Sequence, residues 1–283
     1  MAGRPELTED DLGDPPRHPE PGRHPAVVGG RRLVLSNLDK VLYPEVGMTK
    51  AAVIAYYARM APVMLPHLRD RPVTLRRYPD GATGPSFFQK NARRGLPSWV
   101  PTVKVPRRGR GAGPDIRYVL LCDTASLVWA ANLAALELHV PMWKVGPGGG
   151  YGPADLMVLD LDPGEPAGMV ECCGVAAWLR DAVAGDGRVA YPKTSGSKGL
   201  QLYVPLDPPM PGEEVRDLAR SYARSAERAL GGRVVSNMRR DVRHGKVLVD
   251  RSQNNPAKAT VAAYSLRPRP RPTVSTPVTW DEV

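Results

Sequence analysis

The sequence predicts an α+β domain, with mixed and antiparallel β-sheets flanked by helices. Three observations predict it. Short apolar runs of strand type recur along the chain, as at Arg31–Ser36, Asp155–Leu161 and Lys246–Asp250. Helical patterns of ordinary length stand between some of them, at Thr49–His67, Ala167–Val183 and Gly212–Leu230. Strand and helix do not alternate regularly, and no internal repeat of fixed period is present, so a purely parallel sheet is not expected. With 283 residues, 42% of them hydrophobic, the chain can bury a proper core.

The elements follow in order. Residues 1–25 carry prolines at 5, 15, 16, 19, 21 and 25 and almost no aliphatic periodicity, and are read as a disordered acidic tail. A single domain is expected over 26–283. Arg31–Ser36 is a strand, and Asn37–Tyr43 a turn leading into a loop. Thr49 caps a helix in which Ala52, Ile54, Tyr57, Met60 and Met64 recur near helical spacing. Pro72–Tyr78 reads as a strand, and 79–114 as Gly/Pro/Arg-rich loops with short strands. Ile116–Cys122 runs into a helix over Ala125–Leu136, and Val145–Pro153 is a glycine loop. Strands are expected at Val189–Lys193, Leu200–Pro205 and Thr260–Ser265, with a proline-rich extended C-terminal segment on the surface.

Charge narrows the partner. The net charge is +10, yet residues 1–25 hold six acids against three arginines, a balance of −3. The rest of the chain therefore carries about +13, which suits a polyanion; an arginine-rich background composition would give the same excess without a role. Three cysteines, Cys122, Cys172 and Cys173, make no metal-type spacing and read as reduced thiols of a cytoplasmic protein. No signal peptide is visible. The most apolar stretch, Val119–Leu138, is broken by Asp123, Asn132 and Glu137, so no membrane span is expected.

Candidate chemistry starts at Leu156–Gly164. Strand periodicity sends Asp160 and Asp162 to one face while Leu161 points the other way, and Pro163-Gly164 ends the strand at once. Two carboxylates so close repel unless a cation lies between them, and oxygen ligands without His or Cys suit Mg2+ or Mn2+. A surface strand ending in an Asp-Pro-Gly turn would show the same letters. Asp250 ends a second apolar run, where a lone Asp is also a common turn former. As a third carboxylate it would complete a two-metal phosphoryl-transfer site. Between two predicted strands, Lys193–Leu200 combines hydroxyls, glycines and lysine in a loop able to hold an anion, or simply to turn.

Together these motifs resemble a family. DLDPGE, KTSGSKGL and the stretch from VLVDRSQNN to the C terminus, with Ser36–Pro44, Ser86–Asn91 and Leu136–Pro141, are similar to the polymerase domain of bacterial ligase D, of the archaeo-eukaryotic primase superfamily. The resemblance runs from about Arg31 to Val283 and implies a primase-like catalytic core. It implies that Asp160, Asp162 and Asp250 are catalytic and hold two divalent cations, Mn2+ or Mg2+. Asn37, Lys40, His139, Ser195, Lys198 and Arg267 would line the nucleotide pocket. Lys50, Arg76, Phe87, Phe88 and Lys90 would grip the recessed 5′-phosphate and template of a DNA end. The residues add support for the last group, because the chain's only two phenylalanines sit side by side in a polar stretch, suited to stacking on a base. Without the resemblance, His139 reads as a histidine capping the end of a helix. Gln201 departs from the family's usual histidine.

The implied activity is template-directed nucleotidyl transfer from NTP or dNTP. It fills gaps and extends DNA ends, with a ribonucleotide preference, during non-homologous end joining. The chain shows no Lys-x-Asp-Gly signature and no His-rich nuclease cluster, so a separate ATP-dependent DNA ligase and Ku are the expected partners, at the bacterial nucleoid. A short-gap excision-repair polymerase, a non-catalytic module binding 5′-phosphorylated ends and a small-molecule nucleotidyltransferase are the alternatives.

Overall fold

Thr49 opens the main helix of the N-terminal half as expected, its Oγ1 accepting from the Ala52 amide at 3.3 Å. The computed structural model describes residues 6–13, 21–107 and 113–283. In chain order the elements are α1 (Glu9–Gly13), β1 (Arg23–Val28), β2 (Arg31–Ser36), β3 (Val41–Tyr43), β4 (Met48–Thr49), α2 (Lys50–Leu68), β5 (Thr74–Arg77), β6 (Phe87–Gln89), β7 (Thr102–Val105), β8 (Ile116–Val119), α3 (Thr124–Asn132) and β9 (Ala135–Val140). They continue with β10 (Trp143–Val145), β11 (Tyr151–Pro163), α4 (Met169–Gly185), β12 (Tyr191–Thr194), β13 (Leu200–Met210), α5 (Gly212–Leu230), β14 (Val234–Val235) and β15 (Val247–Asp250). No helix among the described residues is long and apolar enough to cross a membrane.

Two compact units result: Met1–Lys104 with Ile116–His139 and Tyr264–Thr273, and Val105–Asp115 with Val140–Ala263 and Val274–Val283. In the first, β5 pairs antiparallel with both β6 and β9, and β1 with β2. Tyr57, Ile54, Met64 and Leu68 of α2 are buried, as are Leu127 of α3 and Leu75, Leu136 and Leu138 of the sheet. Each such side chain contributes about 1.5–3 kcal/mol when fully buried. In the second unit the strand order is β12-β13-β11-β15-β14, with β10 also on β11. All its pairings are antiparallel except β14 with β15. Helices α4 and α5 pack against β11 and bury Leu179, Val183, Val215, Ala219 and Ala223. The expected α+β class with mixed and antiparallel sheets is what forms.

Several boundaries differ for local reasons. The tail read as disordered over 1–25 lies outside the described residues at 1–5 and 14–20. The described part is ordered, because Leu7 bridges to Ala26 and Leu12 is buried on the short helix α1. The stretch 79–114 likewise includes 108–112, outside the described residues. The helix expected over Ala125–Leu136 stops at Asn132: Ala134 takes a left-handed φ of 55°, and the alternating Ala135–Val140 continues as β9. His139 therefore stands on a strand, not at a helix end. β11 begins at Tyr151, inside the expected glycine loop. The C-terminal segment is extended but not wholly superficial. Ser275 is fully buried, Thr194 N donates to Thr276 O at 2.9 Å, and Trp280 Nε1 donates to Ala190 O at 3.0 Å.

Candidate active site

Register builds the acidic site of the second unit. Antiparallel pairing sets Asp160 on β11 opposite Asp250 on β15, and on its other side opposite Gln201 on β13. Gln201 in turn faces Lys193 on β12. Cross-strand partners share a face, so Asp250, Asp160, Gln201 and Lys193 form one row across four strands. All four are buried, at 5%, 8%, 2% and 2% exposure. Asp162, two positions on, is exposed at the strand end. Asp160, Asp162 and Asp250 each offer a carboxylate oxygen within 4.8 Å of the others.

Burial first, and then the Asp162 and Asp250 carboxylates, push the Asp160 carboxyl up to about 7, against the pull of Gln201 and Lys193. Asp250 is steadied by Ser252, whose backbone N donates to Oδ1 at 2.5 Å and whose Oγ donates to Oδ2 at 3.1 Å. Gln201 Nε2 donates to Asp160 Oδ1 and to Thr260 Oγ1, both at 3.0 Å, and its Oε1 is a buried acceptor without a hydrogen bond. Charge repulsion within the triad and its all-oxygen donor set fit a hard divalent cation. The fixing of Asp160 by Gln201 is the kind of outer contact that orients a metal ligand. Sequence reasoning singled out Gln201 as a departure, but its position beside Asp160 emerges only from register.

The Ser-Gly-Ser-Lys loop closes on hydrogen bonds of its own. Ser195 Oγ accepts from the backbone N–H of Ser197 and of Gly199, both at 3.2 Å, so two of the amides expected to face an anion are satisfied within the loop. Lys198 is exposed and ion-paired with Glu165 at 2.6 Å. Gly199 is demanded by close approach: a Cβ there would meet Leu161 O at 1.9 Å.

In the first unit the predicted residues regroup. Asn37, with a φ of 53°, and Lys40 lie in the turn beside Lys50. Lys50 N donates to Lys40 O at 2.8 Å, and Lys50 Nζ to Ser36 O at 2.5 Å. Burial first, then Lys40 and Arg77, lower the Lys50 ammonium to about 8. Lys40 pairs with Asp80 at 3.3 Å, and Lys90 is exposed just beyond β6. Phe87 and Phe88 lie on β6 rather than in a loop, 46% and 56% exposed, opposite Arg77 and Arg76. Each ring carries a guanidinium over it, Arg77 at 5.3 Å and Arg76 at 5.1 Å from the centroids.

Glu137 is the residue that sequence reasoning missed. It is fully buried on β9, and its Oε2 accepts from Arg76 at 2.9 Å and from Tyr78 OH at 3.4 Å, with His139 Nε2 also at 3.4 Å. Arg267 Nε lies 2.9 Å from Oε1, an ion pair lacking hydrogen-bond direction. Burial pushes the Glu137 carboxyl up, but His139, Arg267 and Arg76 together outweigh it and hold the group at about 2. One carboxylate thus gathers Arg76, His139 and Arg267, and Phe88 closes on His139 edge-to-face at 5.5 Å. The only signal for it was a Glu interrupting an apolar run.

The family model for the LigD primase-polymerase domain matches residues 49–283. The chain belongs to this family. The relatives agree: the multifunctional non-homologous end joining DNA repair protein LigD of Mycobacterium tuberculosis is 44% identical over 258 residues, covering 89% of this chain and 34% of that protein. The LigD of Mycolicibacterium smegmatis is 43% identical over 262 residues (92% and 34%), and the bifunctional LigD of Bacillus subtilis 31% identical over 253 residues (89% and 39%). The chain therefore spans about a third of the length of these relatives. The solved polymerase domain of Mycobacterium tuberculosis ligase D in complex with DNA matches with a TM-score of 0.84 and 44% identity, over 89% of this chain and 88% of that one. The fold is accordingly the archaeo-eukaryotic primase type, and this LigD primase-polymerase domain is a nucleotidyltransferase of the polymerase class. Its acidic triad fits the divalent cation that such chemistry uses.

Proposed function

We propose that the domain carries out template-directed nucleotidyl transfer at gaps and broken ends of DNA during non-homologous end joining, with ribonucleotides preferred. The observation that carries this reading is the triad of Asp160, Asp162 and Asp250, whose carboxylate oxygens converge within 4.8 Å. Bound there, two divalent cations, Mn2+ or Mg2+, would supply the charge that makes a primer 3′-hydroxyl nucleophilic and offsets the leaving pyrophosphate. The chain's own residues do the rest. Gln201, itself anchored on Thr260, holds Asp160 in place, and Ser252 holds Asp250. Ser195 and Lys198 serve the triphosphate, and Lys198 exchanges Glu165 for phosphate oxygens. His139 and Arg267, preset by Glu137, also serve the nucleotide.

Lys50, Lys40 and Asn37 form a cationic turn that suits the 5′-phosphate beyond a gap, so Asn37 and Lys40 are assigned there rather than to the nucleotide. Arg76, Phe87, Phe88 and Lys90 suit the adjoining bases and backbone, with exposed rings for stacking. DNA with gaps or broken ends and NTP or dNTP are then the substrates. A separate ATP-dependent DNA ligase and Ku are the partners, and the bacterial nucleoid is the place of action.

Single-nucleotide incorporation into a gapped duplex, with and without a 5′-phosphate at the gap, tests the proposal. Incorporation with Mn2+ is expected, ribonucleotide ahead of deoxyribonucleotide, and favoured by the 5′-phosphate. Lys50 is charged below about 8 and neutral above it, so the 5′-phosphate preference is expected to fall as pH rises from 7 to 9. Lys50→Met removes the preference throughout. No incorporation by the native chain contradicts the function, and a preference untouched by Lys50→Met contradicts the phosphate assignment.

A further inference from the structure

Helix α5 carries Arg216, Arg220 and Arg224 at four-residue spacing, which sets three guanidinium groups along one side of the helix. Like charges so spaced destabilise a helix, and a solvated face would splay them into water. Here they converge on a fourth: α5 packs against the turn Ser252–Asn254, and half-buried Arg251 caps that turn directly after Asp250. Consistent with this placement, the Arg251 guanidinium is held below its usual value first by burial and then by Arg220, Arg224 and Arg216, with Asp250 acting the other way. Asp217 is the one acid within ion-pair distance of these four among the described residues, 3.2 Å from Arg220 and 4.0 Å from Arg216. The Nε atoms of Arg216 and Arg220 are buried and make no hydrogen bond. Four cations against two carboxylates, Asp217 and Asp250, leave a surplus of positive charge that suits a polyanion.

We infer that Arg216, Arg220, Arg224 and Arg251 form a binding surface for the phosphate backbone of a nucleic-acid strand whose chemistry takes place at Asp250. The inference rests on the polymerase reading of the triad. Four residues of helix rise about 6 Å, and a strand presents a phosphate about every 3.4 Å of its axis, so the row can follow every second phosphate. Guanidinium groups suit this work because each presents a planar fork of donors to phosphate oxygens. An acidic peptide offers the same sign of charge, but Arg251 adjoins the residue where a nucleic-acid end must lie.

Fluorescence anisotropy with a labelled gapped duplex tests the surface, comparing the native chain with Arg216→Gln/Arg220→Gln/Arg224→Gln across about 50 to 200 mM salt. The slope of log affinity against log salt is expected to become shallower by about 3, near 0.9 for each phosphate no longer neutralised. Arg224→Gln alone, at an exposed position, is expected to remove about 0.9, and it decides the matter should the triple variant fail to fold. Arg59→Gln, exposed on α2 in the other unit, is expected to leave the slope unchanged. A slope unaltered in Arg224→Gln and in the folded triple variant overturns the inference. So does polyglutamate competing as well as DNA of equal charge, which would assign the surface to an acidic protein partner. Metal-dependent incorporation measured on the same native preparation separates the two readings. Incorporation with an unaltered slope overturns this surface alone, whereas absent incorporation overturns the polymerase reading on which it rests.

Discussion

Alanine at both Asp160 and Asp162 is expected to lower Mn2+-dependent primer extension by at least ~10^3-fold, about 4 kcal/mol of barrier, without unfolding the protein. The two effects separate because the site is costly to the folded chain. Asp160 is buried beside two other carboxylates, which is why its carboxyl is pushed up to about 7. Removing it takes away repulsion and desolvation rather than packing, so the melting temperature is expected to hold or rise. Gln201 loses one of its two acceptors but keeps Thr260 Oγ1. Single-turnover extension and a melting curve on the same preparation check both halves. Extension at the native rate in the double variant removes the triad from catalysis, and a collapse in melting temperature makes its role structural.

Glu137→Leu is expected to be the most destabilising single change near the predicted binding residues, at about 3–5 kcal/mol. The carboxylate is fully buried with Arg76 and Arg267 within 2.9 Å, so its removal leaves two guanidinium groups facing each other without a counter-charge. Glu137→Gln keeps the volume and is expected to cost less. The pH dependence has a definite sign. The folded carboxyl is held at about 2, below its unfolded value of about 4.3, so the stability it lends is complete above the unfolded value and lost as pH falls towards 2. Urea unfolding of native and Glu137→Gln proteins at pH 7 and below pH 4 measures this. The gap between them is expected to narrow on acidification, and a gap that widens contradicts the ion-pair account. Both substitutions are also expected to weaken nucleotide and DNA binding together, since one carboxylate sets Arg76, His139 and Arg267.

What was legible in the sequence followed from short-range periodicity. Asp160 and Asp162 are two residues apart on a strand, so their common face could be stated from spacing, and the Thr49 cap of α2 and the lengths of α2 and α5 were equally local. Whatever depended on pairing was not legible. Asp250 could be seen only as a strand end, and its place opposite Asp160 required the β11–β15 register. The same holds for the row through Gln201 to Lys193. His139 was misplaced because an apolar helix pattern ran on into an apolar strand, and only the left-handed turn at Ala134 divides them. The loop after Ser195 could be read as holding an anion or simply as a turn, and the close approach of Gly199 to Leu161 O was not visible in its letters. Glu137 was invisible as a hub, since its partners at 76, 139 and 267 are gathered from three separate stretches of chain.

The central claim is that three carboxylates on two adjacent strands hold the catalytic divalent cations. Titration of the protein with Mn2+, following free Mn2+ by electron paramagnetic resonance, tests it most directly and without any substrate. The native chain is expected to take up Mn2+ saturably, with Mg2+ competing, and Asp250→Asn to weaken that uptake at least ~10-fold, the scale on which perturbed metal sites lose affinity. Equal uptake by native and Asp250→Asn proteins, or by Asp160→Ala/Asp162→Ala, would contradict the account.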